Sequence, residues 1–219
     1  MTTTPNPAPT HLPTFQSRVV PVVVVSDPAQ AVPMAQALLA GGVDVIEITL
    51  RSAAGLAAIE AVARHVPGMQ VGAGTVTRPH EVAQVLNAGA RFALSPGCTP
   101  ALLEAAAQAG LPFIPGVATP SEAMAARDAG YRLMKCFPAA QLGGVEVLKA
   151  WGGPLPDLRF CPTGGVSLAN MASFLALPNV AMVGGSWLTP AAAVAAGDWP
   201  RIETLAREAT QAAAAVPSP

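Results

Sequence analysis

Charge is scarce in this chain, and lysine is the rarest source of it. Charged side chains make up 11% of the 219 residues, and the formal net charge is -1 at pH 7. Of the 12 basic residues, two are lysines, Lys135 and Lys149, and no basic run is present. Binding nucleic acid through charge alone requires a basic surface. The composition therefore predicts no nucleic-acid partner and favours a small molecule.

Long hydrophobic runs are also missing. The longest valine-rich run, Val19 to Val25, is interrupted by Pro21 and is far too short to cross a bilayer. The first residues, Met1 to Pro5, have neither the charged leader nor the apolar segment of a secretory signal. We therefore expect no membrane contact and a cytoplasmic location.

Cysteine and histidine are few and widely spaced. The six residues are Cys98, Cys136, Cys161, His11, His65 and His80. An odd number of cysteines at these spacings suits neither a disulfide framework nor a zinc site. The histidines form no cluster with metal-ligand spacing. We expect a reducing environment, no metal and no cofactor.

The chain does contain a repeated unit: a short apolar strand, a turn, an alanine-rich helix and a glycine stop. Endings such as Asn87-Ala88-Gly89 and Asp128-Ala129-Gly130 are typical of a helix that ends at a left-handed glycine. Strand-like runs begin about every 20 to 27 residues. They start near Val19, Asp44, Gln70, Arg91, Leu111, Arg132, Arg159 and Val180. Eight βα units predict an α/β fold, a single-domain (β/α)8 TIM barrel, with an open doubly wound sheet as the alternative.

The barrel is predicted to occupy residues 14–215. Residues 1–13 are rich in threonine and proline and are predicted to form a disordered N-terminal tail, and Val216 to Pro219 form a second tail. Within the barrel, Ser121 and Ser167 are predicted to begin helices as N-caps.

Polar residues alternate with aliphatic ones along the second predicted strand. Glu47, Thr49 and Arg51 share one face, because side chains in a strand alternate with a period of two. The aliphatic residues between them form the other face. This alternation favours a barrel, since strands covered on both sides are aliphatic throughout. The polar face then points into the barrel, where a carboxylate is costly unless it serves a site.

The sixth predicted strand, Leu133 to Pro138, carries a single cation, Lys135. By the same alternation Lys135 and Phe137 share a face, so Lys135 and Glu47 are expected to face each other inside the barrel. Desolvation disfavours the charged form of a buried amine, and a neutral amine is the nucleophile that a Schiff base requires. A lysine whose ammonium group reaches solvent is the alternative.

Glycine pairs follow the last two predicted strands, in Thr163-Gly164-Gly165 and Gly184-Gly185-Ser186. Glycine lets backbone N–H groups approach anionic oxygens, and these loops of a barrel often bind phosphate. One such pair is more often only a tight turn. Two pairs in consecutive loops favour a phosphate site.

Arg51 and Thr75 end the second and third predicted strands, at the rim where barrel catalysts lie. The planar fork of Arg51 suits a carboxylate, and an ion pair with Glu47 is the alternative. Thr75 by itself is typical of a helix cap.

Six motifs, in order along residues 15 to 210, resemble the 2-keto-3-deoxy-6-phosphogluconate (KDPG) aldolase family of class I aldolases. They are Ile46-Glu47-Ile48-Thr49-Leu50-Arg51, Val71-Gly72-Ala73-Gly74-Thr75-Val76, Ser95-Pro96-Gly97, Met134-Lys135-Cys136-Phe137-Pro138-Ala139, Cys161-Pro162-Thr163-Gly164-Gly165 and Gly184-Gly185-Ser186-Trp187.

The resemblance implies a homotrimeric (β/α)8 barrel that cleaves KDPG to pyruvate and glyceraldehyde 3-phosphate without metal or cofactor, and that also acts on 4-hydroxy-2-oxoglutarate. By position it implies Lys135 as the Schiff-base lysine and Glu47 as the general acid and base. The remaining implied contacts are Arg51 and Thr75 with the pyruvate carboxylate, Phe137 and Thr163 with the substrate, and Gly164, Gly165, Gly184, Gly185 and Ser186 with the phosphate.

Two residues depart from the family pattern. Cys136 replaces an aromatic or aliphatic residue, and by the strand count it faces away from the site. Ala140 replaces a glutamate in the loop above Lys135. Three alternatives remain open: a sister aldolase for the galactonate epimer, a phosphate-binding isomerase or synthase that does not need Lys135, and a non-catalytic phosphosugar-binding barrel.

Overall fold

The computed structural model describes residues 11–217. Residues 1–10 of the predicted N-terminal tail and residues 218–219 of the C-terminal tail lie outside the described residues. Leu12 and Phe15 are partly buried against the core, and the Phe15 ring lies 5.0 Å from the ring of Phe92. The chain therefore contacts the barrel before its first strand begins.

Within residues 11–217 the structure has nine short strands. They are β1 (Val19–Val23), β2 (Val45–Thr49), β3 (Gln70–Gly74), β4 (Phe92–Leu94), β5 (Phe113–Ile114), β6 (Gly116–Val117), β7 (Leu133–Cys136), β8 (Arg159–Pro162) and β9 (Val183–Gly185).

The strands form a closed ring of parallel pairs. One sheet has the order β5-β4-β3-β2-β1-β9 and the other β6-β7-β8. Isolated parallel bridges, Phe160 with Val180 and Thr163 with Gly184, join β8 to the β9 segment. Since β5 and β6 are separated by a single residue, the two sheets make one barrel. The predicted (β/α)8 barrel is confirmed, and the open doubly wound sheet is not seen.

The fifth predicted strand is divided, and Pro115 explains the division. Proline has no N–H to donate to a ladder. The Pro115 carbonyl still accepts a hydrogen bond of 2.8 Å from the Lys135 N–H. The next N–H, that of Gly116, donates to the Ser95 hydroxyl at 3.1 Å instead of to a strand. The strand therefore pairs with β4 before the proline and with β7 after it.

Helices cover the outside of the barrel. In the described range they are α1 (Ala31–Ala40), α2 (Gly55–His65), α3 (Pro79–Asn87), α4 (Pro100–Gln108), α5 (Pro120–Asp128), α6 (Val145–Gly152), α7 (Met171–Leu175), α8 (Ala191–Ala196) and α9 (Trp199–Ala214). A 3-10 turn, Pro28–Gln30, precedes α1. None of the helices in this range has the length and apolar character needed to span a membrane.

The predicted N-caps Ser121 and Ser167 are wrong. The cap of helix α5 lies two residues earlier, at Thr119, whose hydroxyl accepts from the Glu122 N–H while the Glu122 carboxylate accepts from the Thr119 N–H. Helix α7 begins at Met171 after a turn in which the Ser167 N–H donates to the Asn170 side chain. The reciprocal cap of Thr119 and Glu122 satisfies two free N–H groups at once, which a serine inside the helix cannot do.

The apolar core lies between the helices and the outer face of the barrel. Ile46 and Ile48 of β2 are fully buried in it, as are Met134 and Cys136 of β7. The inner face of the same strands holds the buried polar residues Glu47, Thr49 and Lys135, and two more, Ser95 and Thr163, lie directly after β4 and β8. Buried polar groups require partners. The partners of this inner set define the candidate site.

Candidate active site

Lys135 and Glu47 meet inside the barrel. The Lys135 Nζ lies 2.9 Å from Glu47 Oε1 and 3.3 Å from Oε2, although 88 residues separate them in sequence. Their side chains are 6% and 1% exposed. The alternation of faces along β2 and β7 predicts this meeting, and the structure confirms it. The alternative of a lysine that extends to solvent is wrong, because its amine is held by the carboxylate.

Two glycines of β3 make room for side chains inside the barrel, and one of them makes room for Glu47. A Cβ added at Gly74 would overlap the carboxyl group of Glu47, and one added at Gly72 would overlap the ring of Phe92. Both glycines pair in register with β2, Gly72 with Glu47 and Gly74 with Thr49. Both positions therefore require glycine, because a side chain would not fit there.

Cys161 is the neighbour of the pair on β8. It stands in register with Lys135, is fully buried, and its Sγ lies 3.9 Å from the Thr163 hydroxyl. Burial raises the pKa of the Cys161 thiol to about 12, while the nearby Lys135 acts in the opposite direction. The thiol is thus a neutral part of the barrel wall at neutral pH.

Cys136 lies on the opposite face of β7, as the strand count predicts. It is fully buried in the apolar core, and that burial raises its pKa to about 12. The family departure at this position is therefore a change in core packing, away from the inner face.

A cavity of about 140 Å³ opens one pleat beyond the Lys135–Glu47 pair, toward the carboxyl ends of the strands. It brings together most of the sequence-predicted site: Arg51, Phe137, Thr163, Gly164, Gly165, Gly185 and Ser186, with Val22 and Val166. The Phe137 ring centroid lies 5.6 Å from the Lys135 Nζ, so this ring connects the buried pair to the cavity. Gly184, Thr75, Lys135 and Glu47 do not line the cavity.

The two glycine-rich loops form one side of this cavity. Gly164 and Gly165 have φ angles of 95° and 75°, which residues with a Cβ rarely adopt. A Cβ at Gly184 would overlap the Thr163 hydroxyl, and one at Gly185 the Trp187 ring. The loops therefore approach each other more closely than other residues would allow, with their backbone facing the cavity.

Ala140 lies under the first of these loops. Its N–H donates to the Gly164 carbonyl at 3.0 Å, and a Cβ added at Gly165 would overlap the Ala140 methyl group. Ala140 is exposed to solvent. Its small side chain thus supports the loop from outside the cavity.

Arg51 is exposed at the rim and lines two cavities, the small one and a larger one of about 400 Å³. The predicted alternative, an ion pair with Glu47, is not formed, since Glu47 pairs with Lys135. The Arg51 Nε instead lies 3.3 Å from the Thr49 hydroxyl. Thr49 is fully buried, and the sequence indicates no role for it beyond its place on the inward face.

Thr75 follows Gly74 directly and has a φ of 62°, rare for a β-branched residue. It caps no helix, because α3 begins four residues later at Pro79. Such strain persists only where the surrounding structure imposes it, and it often lies at functional sites. Among residues 11–217, no group of three or more histidine, cysteine, aspartate or glutamate side chains is placed to hold a metal ion.

The family model of the KDPG and KHG aldolases matches residues 14–205. The chain belongs to this family. It is 53% identical over 195 residues to the KHG/KDPG aldolase of Escherichia coli, covering 89% of this chain and 92% of that protein. It is 52% identical over 201 residues to the 2-dehydro-3-deoxy-phosphogluconate aldolase of Pseudoalteromonas atlantica, covering 92% and 94%.

A solved structure of the family gives the same agreement in three dimensions. It is the KDPG aldolase of Legionella pneumophila with pyruvate captured at low pH as a covalent carbinolamine. The TM-score is 0.87 at 45% identity, covering 89% of this chain and 94% of that chain.

Proposed function

We propose that this protein is a class I aldolase that cleaves KDPG to pyruvate and glyceraldehyde 3-phosphate, with Lys135 as the Schiff-base nucleophile. The observation that supports this most is the buried contact of 2.9 Å between the Lys135 amine and the Glu47 carboxylate. A buried ion pair contributes little to stability, because its desolvation cost offsets the attraction. A nucleophile and a base within hydrogen-bond reach are, in contrast, what covalent catalysis needs.

Glu47 is proposed as the general acid and base. It lies close enough to take the proton of the Lys135 ammonium group, which leaves both side chains neutral. The free amine then adds to the C2 ketone of the substrate. Glu47 returns this proton to the C2 oxygen, which gives the carbinolamine. It then carries a second proton from the lysine nitrogen to the C2 hydroxyl, which departs as water and leaves an iminium ion.

The iminium ion accepts the electrons of the bond that breaks. Removal of the C4 hydroxyl proton forms the aldehyde, breaks the C3–C4 bond and gives the enamine of pyruvate. Protonation at C3 and addition of water then release pyruvate and restore the amine. Each step moves protons next to Lys135, where Glu47 lies.

The cavity and the strand ends next to it supply the proposed substrate contacts. Arg51 and Thr75 bind the pyruvate carboxylate at the rim, and Phe137 and Thr163 hold the substrate next to the lysine. The phosphate lies against the backbone of the glycine loops: Gly164, Gly165, Gly184, Gly185 and Ser186. The positive φ angles of Gly164 and Gly165 support this part of the proposal, since backbone nests of this kind bind anions.

Steady-state cleavage assays test the substrate. Release of pyruvate should be measured from KDPG, from its galactonate epimer and from 4-hydroxy-2-oxoglutarate. We expect KDPG to have the highest kcat/KM, as the names of the relatives indicate, and slower cleavage of 4-hydroxy-2-oxoglutarate. A preference for the galactonate epimer would assign the protein to the sister activity, and no pyruvate from any of the three would contradict the proposal.

We further propose that the protein is a cytoplasmic homotrimer. Leu86 on α3 and Met124 on α5 are large apolar side chains that are 40% and 47% exposed, and contacts between subunits would cover such surface. The three free cysteines suit a reducing compartment. Light scattering should give three times the chain mass, and a monomer at micromolar concentration would contradict the trimer.

A further inference from the structure

Thr49 links the rim arginine to the first strand. Its hydroxyl donates to the Val23 carbonyl of β1 at 2.9 Å and accepts from the Arg51 Nε at 3.3 Å. The direction of both bonds is fixed, because a carbonyl can only accept and a guanidinium can only donate. The hydroxyl therefore uses its one hydrogen on the backbone and turns its lone pairs toward Arg51.

This contact uses the one N–H donor of Arg51 that is not needed when a carboxylate binds end-on to the two terminal nitrogens. A guanidinium has five N–H donors, and four of them are on the terminal nitrogens. The bond to Thr49 occupies only the Nε–H. Among residues 11–217, no carboxylate lies within ion-pairing distance of Arg51. The terminal fork is left to the two cavities that Arg51 lines.

An exposed arginine otherwise samples many rotamers. Binding an anion would then immobilise the side chain at a cost in entropy, which a contact made beforehand reduces. Thr49 is suited to this task because it is fully buried and held by the Val23 carbonyl. Its own position is therefore set by the β1–β2 pairing, independently of any ligand.

We propose that Thr49 is a positioning residue for the reaction: it fixes Arg51 so that the terminal fork meets the carboxylate of pyruvate or of the keto-acid substrate. The inference rests on the proposed function, because it assumes that Arg51 binds this carboxylate. It adds a residue that acts through Arg51 and does not touch the substrate.

The test compares hydroxyl variants at two positions. Thr49→Val keeps the shape of the side chain and removes the hydroxyl, and Thr49→Ser keeps the hydroxyl. Ser52→Ala is the matched control, since the Ser52 hydroxyl also donates to a carbonyl of the first-strand segment, that of Val25, whereas the Arg51 Nε–H bonds to Thr49. Thr49→Ala, measured in parallel, provides a hydroxyl-free protein if the valine variant does not fold.

For Thr49→Val we expect KM for KDPG, and the pyruvate concentration that gives half-maximal borohydride trapping, to rise about threefold to tenfold, as loss of one ordinary hydrogen bond implies. The kcat and the maximal trapping should stay within about twofold. Thr49→Ser and Ser52→Ala should match the wild type. If KM for KDPG and the half-saturating pyruvate concentration were unchanged in Thr49→Val and in Thr49→Ala, the inference would be overturned.

A double-mutant cycle separates an effect through Arg51 from general loosening of the rim. In an Arg51→Lys background, Thr49→Val should not raise KM for KDPG or the half-saturating pyruvate concentration any further, because the Nε–H that Thr49 holds is gone. A rise of the same size in both backgrounds would contradict the proposal.

The contact can also be measured without the reaction. Hydrogen exchange of the Arg51 Nε–H by NMR should be slow in the wild type and in Thr49→Ser, and faster in Thr49→Val. Wild-type protein with a protected Nε–H that forms no imine with pyruvate would overturn the proposed function alone. Imine formation with an unprotected Nε–H would overturn the role of Thr49 alone.

Discussion

The two ends of the barrel use charged side chains in different ways. At the amino ends of the strands, the Asp44 carboxylate accepts from the Gln16 and Ser17 N–H groups at 2.8 and 2.9 Å. Arg18 at the same end donates to the Leu175 and Val216 carbonyls at 3.0 and 3.1 Å. Each charge here binds backbone: Asp44 holds the segment before β1, and Arg18 holds the end of α7 and the segment after α9. These are structural contacts.

Inside the barrel and at the carboxyl ends of its strands, charged groups bind each other or extend toward cavities. Lys135 and Glu47 are more deeply buried than Asp44 or Arg18, yet their side chains hydrogen-bond to one another. Arg51 makes one contact through its Nε and none to a carboxylate in the part of the chain that the structure describes. Charges that bind backbone hold the fold, whereas this buried amine and carboxylate bind each other and are available for chemistry.

The largest expected effect comes from breaking the buried ion pair of Lys135 and Glu47. Glu47→Gln keeps the shape of the side chain but cannot accept the lysine proton, so kcat should fall by about 10²-fold or more, the usual contribution of a positioned acid and base. Cleavage rates with KDPG, with a thermal melt to verify folding, would measure it. Wild-type turnover in this variant would make Glu47 a structural residue like Asp44.

The second largest expected effect is a loss of stability when a contact at the amino ends of the strands is removed. Asp44→Ala removes the acceptor of two backbone N–H groups, one of them part-buried, and should lower the free energy of unfolding by about 1–3 kcal/mol. Urea unfolding measures this change, and kcat should stay at the wild-type value.

The matched control for Asp44 is Asp157. Its carboxylate lies 3.6 and 3.7 Å from Arg127 and Arg132 on the exposed surface. Exposed pairs of this kind contribute less than about 1 kcal/mol. A smaller loss in Asp44→Ala than in Asp157→Ala would refute the structural role of the amino end.

The smallest expected effect concerns the two buried thiols and alkaline pH. Burial raises the pKa of Cys136 and of Cys161 from the ordinary 9.0 to about 12. Between these values the native state holds protons that the unfolded chain has lost, so the free energy of unfolding falls as pH rises. The slope is at most about 1.4 kcal/mol per pH unit for each thiol. The stabilisation from each thiol is fully present below pH 9 and is lost as pH rises toward 12.

Unfolding in urea between pH 8 and pH 10 measures this slope, and Cys136→Val should make it shallower, since it removes one of the two thiols. Equal slopes in the variant and the wild type would show that Cys136 does not contribute.

The sequence predicts what depends on periodicity. The eight βα units and the meeting of Glu47 with Lys135 follow from spacing and from the alternation of faces, both of which are local properties. It does not predict what depends on register between distant segments. The division of the fifth strand at Pro115, the bond between Thr49 and Arg51, and the place of Thr119 as a helix cap require knowing which backbone groups come within reach.

The roles of the site residues depend most directly on the state of Lys135. Incubation with pyruvate and borohydride should convert an imine at Lys135 to a stable secondary amine. Mass spectrometry of the digested protein should place the adduct on the peptide containing Lys135, leave the exposed Lys149 unmodified, and detect no adduct in Lys135→Arg, whose guanidinium cannot lose a proton. Equal, pyruvate-independent labelling of both lysines, or normal cleavage by Lys135→Arg, would contradict the account.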